Sequence, residues 1–342
     1  MERPHPSLYQ LSTTATTRIN GWDAVSAAIG VSQTVYPAAR PNAVVLARPD
    51  YFPESLAATR LLHPFHAPLL YTESQALEEE VKRELVRLSP GGNGLPGQVI
   101  VVGAVHAQIL HDIDELGFTS WHLIGHDLWD TVDRIAELDV GVDPRDVLLV
   151  SAHPLAGGVV AGGYAAHKGS PILFATERGL SPSATAYLRR HPRSRVFVIC
   201  PEAYLPRTLT SDVRLLGSKV EGWIGGGDPY EVAGAFAKFR HSKSGVGWGR
   251  RERSGAAVTL VPTENWPFGV AAAALSSVGK QTPLLLTKRE SLPGQTEDFL
   301  NRLRPRLEIG GFPQTHGFLV GSLDVISYPV QMRMHQALTR AD

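Results

Sequence analysis

The stretch VLLVSAHPLAGGVVAGGYAAHKGSPILFAT, from Val147 to Thr176, carries the reading of the whole chain. It opens with a continuous apolar run, passes into small residues at helical spacing, and reaches a second apolar run opened by Pro171. Short continuous apolar runs alternating with helices read as parallel strands covered on both faces. The same series occurs from Val44 to Pro68 and from Val258 to Pro283. The distance from strand start to proline is 24, 24 and 25 residues in the three places. Matching spacing together with matching chemistry marks an internal repeat.

Each copy continues beyond its proline run. A charged helix follows, clearest as LEEEVKRELVRL from Leu77. Then come the runs Val99–Gly103, Val196–Cys200 and Phe318–Gly321. In the first two copies a further strand ends in Ile-Gly, at Trp121–Gly125 and Gly222–Gly225, and an amphipathic helix trails it. The third copy stops before that pair. The missing pieces stand at the other end of the chain, as Thr17–Gly21 and WDAVSAAIGV. The order predicts an α/β fold of three Rossmann-like parallel-sheet modules in a pseudo-threefold arrangement, the N-terminal strand completing the third. Its divisions are 1–42 (the completing strand and helix), 43–142, 143–253 (with a basic linker) and 254–342.

Composition narrows the function classes. Lys plus Arg and Asp plus Glu number 33 each, so no overall field draws the chain to nucleic acid. No apolar run approaches the roughly 20 residues of a membrane span. The N-terminus shows no basic segment followed by an apolar one, so no signal peptide is read. With Cys200 alone, an intramolecular disulfide and a cysteine zinc site are both excluded. Glycine loops of the nucleotide-binding kind are absent, as are GxSxG and HExxH, so no cofactor, acyl-transfer centre or metal site is expected.

In parallel sheets ligands meet the carboxyl ends of strands. The first strands lead to Arg48 and Asp50, to His153, and to Asn265 and Trp266. The second strands lead to Thr72, to Thr176 and Arg178, and to Thr287, Lys288 and Arg289. The Ile-Gly strands carry Arg18 and lead to Asp23, Asp127 and Asp228. These are the candidate ligand-binding residues. The plainer alternative for each Thr, Asp and Asn is capping of the helix that follows. Apart from these, Lys238–Arg253 holds six Lys/Arg against Glu252 with Trp248 among glycines, and reads either as a solvated linker or as a basic arm.

The motif order resembles the cell wall binding repeat 2 family. Glu54-Ser-Leu-Ala-Ala stands for its "DALAA"-like helix start, Pro68-Leu-Leu-Tyr-Thr for its "PILLT"-like run, and Arg18-Ile-Asn-Gly-Trp-Asp for its "RIxGxDRY"-like element. The resemblance runs from about residue 17 to 338. Where the family carries "DRY", this chain has Trp22-Asp23, Leu128-Trp129 and Pro229-Tyr230. The resemblance implies a non-catalytic envelope protein at the cell surface, attached to an anionic wall polymer through strand-end and inter-module grooves. Arg18, Arg48, Arg178, Lys288 and Arg289 would make its charge-assisted contacts. Self-assembly, or contact with other surface proteins, is the companion expectation. The alternatives are a structural subunit of a surface layer or particle, an enzyme acting on a sugar or phosphate, and, since no signal peptide is read, a cytoplasmic protein.

Overall fold

A computed structural model describes residues 12–73, 75–251, 256–278, 281–303 and 315–339. The chain begins with β1 (Thr16–Ile19) and α1 (Ala24–Val35). The first module follows: β2 (Val44–Ala47), α2 (Phe52–Ala58), β3 (Leu69–Tyr71), α3 (Glu79–Leu88), β4 (Val99–Val102), α4 (Ala107–Glu115), β5 (Ser120–Leu123) and α5 (Leu128–Glu137). The second has β6 (Asp146–Ser151), α6 (Val159–Lys168), β7 (Ile172–Thr176), β8 (Gly179–Leu180), α7 (Pro182–Arg190), β9 (Arg195–Ile199), α8 (Leu209–Leu215), β10 (Lys219–Ile224) and α9 (Pro229–Lys238). The third has β11 (Ala257–Pro262), α10 (Trp266–Ser277), β12 (Leu284–Thr287), α11 (Gly294–Leu303), β13 (His316–Val320) and α12 (Tyr328–Thr339).

The strands form three sheets, ordered β3-β2-β4-β5, β7-β6-β9-β10 and β12-β11-β13-β1. The N-terminal strand therefore takes the place in the third sheet that β5 and β10 hold in theirs. Thr16 to Ile19 run parallel to Gly317 to Val320. All these pairings are parallel, and among the described residues only the second sheet gains a short antiparallel edge, from β8.

Alternation on β6 shows why its run is apolar throughout. Leu148 and Val150 join the core shared by all three modules, while Val147 and Leu149 join a second cluster on the other face. Burying each such side chain contributes roughly 1.5–3 kcal/mol. The helices after the first strands meet at the centre: α6 packs on α10, and α2 with its 3₁₀ extension packs on both. The last helix of each module lies against the second helix of the next, as α5 on α7, α9 on α11, and α1 on α3. The third of these contacts closes the ring.

The glycine two residues before Asp23 and before Asp127 has a steric cause. A Cβ on Gly21 would stand 2.5 Å from the Ala27 backbone, and one on Gly125 would stand 2.5 Å from the Thr131 nitrogen. Only glycine lets the strand end approach the helix it feeds.

Candidate functional site

The strand order second-first-third-fourth puts a topological switch point between the first and third strands of every sheet, where parallel folds open a crevice. In the first module Arg48 spans it. Its Nη1 donates to the Ala104 carbonyl at 3.0 Å, its Nε donates to Asp50 at 2.9 Å, and its guanidinium lies 4.3 Å from the centre of the Tyr51 ring. Glu54 lies beneath, 5% exposed, and a Cβ on Gly103 would fall 2.5 Å from its Oε2. Burial raises the pKa of that carboxyl. Glu54 is a site residue that sequence reasoning did not select, although its place in the "DALAA"-like start singled it out as a motif. In the second module the exposed His153 ring sits 5.2 Å from Tyr204 across the crevice. In the third, Asn265 is exposed.

Several expected ligand contacts are instead spent on the fold. Arg18 is fully buried, and its guanidinium donates to Gln331 Oε1 at 3.0 Å and to the carbonyls of Gly321 and Ser322 at 2.7 and 3.1 Å. A strand-end position put it on the list, but its side chain turns inward to β13 and α12. Thr72 and Thr287 are buried too. Their hydroxyls donate to carbonyls of the following loop, Glu73 and Ala76 in one case, Lys288 and Ser291 in the other. Thr176 accepts from the Arg178 amide and shapes the turn into β8. Trp266 is half-buried, edge-on to Phe52 at 5.2 Å, in an aromatic cluster shared between modules.

Asp23, Asp127 and Asp228 cap α1, α5 and α9, each accepting at 2.8 Å from the amide three residues on. Asp130 and Glu231 reach back to the amides of His126 and Gly227, and Ser26 does the same for Asp23. The capping alternative describes these three residues.

The caps nevertheless stand where modules adjoin. At the seam between the second and third modules Gln295 Nε2 donates to Asp228 Oδ2 at 2.8 Å, and the Lys288 ammonium lies 5.9 Å from the centre of the Tyr230 ring. At the seam between the first and second, Trp129 packs on Phe174 at 6.1 Å. Below it Arg190 pairs with Asp133 and Glu137 at 2.6 and 2.9 Å. At the closing seam Ser32 donates to the buried Glu84 at 2.6 Å.

The seams differ in charge. Lys288 and Arg289 are exposed beside Glu290, which pairs with Arg289 at 2.9 Å. Arg178 is exposed beside exposed Glu177, and the equivalent turn in the first module offers Glu73. A surplus of positive charge at these second-strand ends is thus confined to the third module.

The stretch from Lys238 is neither solvated linker nor free arm as far as it is described, to Arg251. Val246 and Trp248 are buried, the indole stacks on His167 at 5.1 Å, and the Phe239 carbonyl accepts from the Gly249 amide at 2.9 Å. Glu252 and Arg253 lie outside the described residues. Among the described residues no cluster of three or more His, Cys, Asp or Glu is placed to hold a metal ion. No described helix is long and apolar enough to cross a membrane.

No protein-family model matches the chain. Its sequence is 26% identical over 289 residues to "N-acetylmuramoyl-L-alanine amidase LytC" of Bacillus subtilis (strain 168), covering 82% of this chain and 52% of the amidase. Its fold superposes on Cwp8 from Clostridium difficile with a TM-score of 0.74 at 17% identity, covering 95% of this chain and 52% of that one. For Cwp6 from the same organism the TM-score is 0.73 at 15% identity, covering 95% and 48%. The chain therefore shares this fold, and it spans about half the length of the relatives it matches.

Proposed function

We propose that this chain is a binding unit of the bacterial cell envelope that attaches non-covalently to an anionic wall polymer. The polymer lies along the carboxyl ends of the strands, with its charged groups at the seam between the second and third modules. The carrying observation is the charge at that seam. Lys288 and Arg289 stand exposed at an edge-strand end, while the neighbouring Asp228 is committed to the α9 cap and to Gln295. A chain of zero net charge thus offers a local cationic step. Support for the wall as the setting comes from the fold shared with two clostridial cell wall proteins and from the sequence match to an amidase named for an N-acetylmuramoyl substrate.

Arg178 and His153 extend the contact as polar groups, Asn265 likewise, and Arg48 with Asp50 forms a neutral pair there. Exposed charge-assisted contacts are weak singly and screened by salt. Co-sedimentation with purified wall polymer tests the reading. Binding should weaken as salt rises, and Lys288→Ala with Arg289→Ala should lower affinity about three- to tenfold. Absence of sedimentation at low salt, or full binding by the double variant, would overturn it.

The amidase match favours a second reading, hydrolysis of wall amide bonds. Release of new amino groups from purified wall material would establish it. A preparation that sediments with the wall and releases none is a binder alone.

A further inference from the structure

Five residues before each capping aspartate, two of the three modules carry a side chain that serves the fold. Arg18 and His122 turn inward and bond the carbonyls of Gly321 and Gly103 at 2.7 and 2.8 Å. Both acceptors are glycines of positive φ, +136° and +78°. The second module has changed both partners. Cys200 stands in place of the glycine, and the side chain is Trp223, which turns outward and is 37% exposed.

The indole has a seat of its own. Where the other two copies have Asn20 and Ile124, this one has Gly225. A Cβ there would stand 3.0 Å from Trp223 Cδ1 and 3.1 Å from its Nε1, so the edge of the indole rests on bare backbone. Glu202 borders the same glycine, its Cγ 3.8 Å from that Cβ position. It opens the 3₁₀ turn Glu202–Tyr204, is exposed, and has no cationic partner among the described residues. A flat apolar ring and an uncommitted carboxylate thus flank one residue at the carboxyl end of β10.

One exposed apolar side chain is ordinary and by itself implies no ligand. Here three changes coincide in a single copy of a repeat: the inward bond is given up, a glycine seats the ring, and a free acceptor stands beside it. An aromatic face favours an apolar surface laid flat against it, and a carboxylate accepts O–H bonds more strongly than a neutral oxygen does. A pyranose ring offers both partners, a C–H face and a rim of hydroxyl donors. We propose that Trp223 and Glu202 form a subsite for a neutral pyranose ring of a saccharide. The sugar stacks on the indole, and its hydroxyls donate to Glu202. The inference stands apart from the cationic wall-polymer contact, because it uses none of the seam residues.

The test is calorimetric titration of the full chain with maltotetraose, chitotetraose and mannotetraose, with choline and tetraethylene glycol as controls. At least one tetrasaccharide should bind with a dissociation constant of about 1 mM or tighter, equally at low and high salt because the ligand is neutral. Trp223→Ala should weaken that binding about tenfold or more. Glu202→Gln, which keeps the shape and removes the charge, should weaken it about threefold or more. Lys288→Ala with Arg289→Ala should leave it unchanged, so failure at the seam and failure here read out separately. Circular dichroism of each variant confirms its fold. No binding of any tetrasaccharide, equal binding of choline or tetraethylene glycol, or unchanged affinity in either folded variant of Trp223 or Glu202 would each overturn the proposal.

Discussion

Arg18 Nη1 lies 2.7 Å from the carbonyl oxygen of Gly321, a bond spanning 303 residues that fastens the first strand of the ring to its last. The first module repeats it with a different donor, His122 Nε2 on the Gly103 carbonyl at 2.8 Å. In the second module the matching position is Trp223, which is 37% exposed. Arg18 also holds the Ser322 carbonyl and Gln331, so its removal strands several buried acceptors at once. Arg18→Met should therefore cost roughly 3 kcal/mol or more of unfolding free energy, with Arg18→Lys between it and the parent. A urea midpoint unchanged in Arg18→Met would contradict the role.

Much of this was legible beforehand, and the reason is local. The strand-end glycines and the Asp caps act on residues three to six positions on, Gly21 against Ala27 and Gly125 against Thr131, so each leaves its record in its own stretch of sequence. The interrupted third copy then required the N-terminal strand at its edge, where it stands. Side-chain direction was not legible. Arg18 and Arg48 are both strand-end arginines, yet one is fully buried and the other spans a crevice, because only tertiary packing decides which carbonyls lie in reach. Arg60 shows the same: inside an ordinary helical run, it donates at 2.6 Å to Ile135 and Ala136 and at 3.0 Å to Gly169, tying two modules together. The Lys238–Arg251 stretch looked like solvent-exposed chain because its partner, His167 on α6 beneath Trp248, lies 81 residues earlier in the sequence.

The centre of the ring relies on small residues. A Cβ on Gly163 would stand 2.9 Å from Leu284 Cγ and 2.9 Å from Ser276 Oγ, both on the third module. Alanine is intrinsically better than glycine in a helix by about 1 kcal/mol, whereas overpacking costs about 1–3. Gly163→Ala should destabilise nonetheless, by about 1–2 kcal/mol, since the methyl meets a branch carbon rather than a free chain end. A thermal midpoint at or above that of the parent would show that the interface yields more readily than this.

Cys200 directly follows β9 inside the outer cluster of the second module, fully buried. Burial pushes its thiol up to about 12, so at pH 8 it is protonated as well as inaccessible. Reaction with a soluble disulfide reagent should be slow in buffer and complete quickly in denaturant. Rapid stoichiometric labelling of the folded chain would place the thiol at the surface.

His167 supplies a pH dependence whose sign follows from its surroundings. Burial, ahead of the charges on Lys168, His63 and Arg250, lowers its pKa from 6.5 to about 4. Between those values the unfolded chain holds a proton that the folded chain refuses, so stability rises with pH across the window. Its full contribution is present above about 6.5 and is lost as pH falls towards 4. The ring is partly exposed, and screening brings the effect to about 1 kcal/mol. His167→Phe keeps the stack on Trp248 and removes the titration. The difference in unfolding free energy between parent and variant, measured at pH 7 and pH 4.5, should shrink or change sign in the parent's disfavour at the lower pH. Parallel curves for the two proteins would mean that the imidazole is protonated as easily in the fold as outside it.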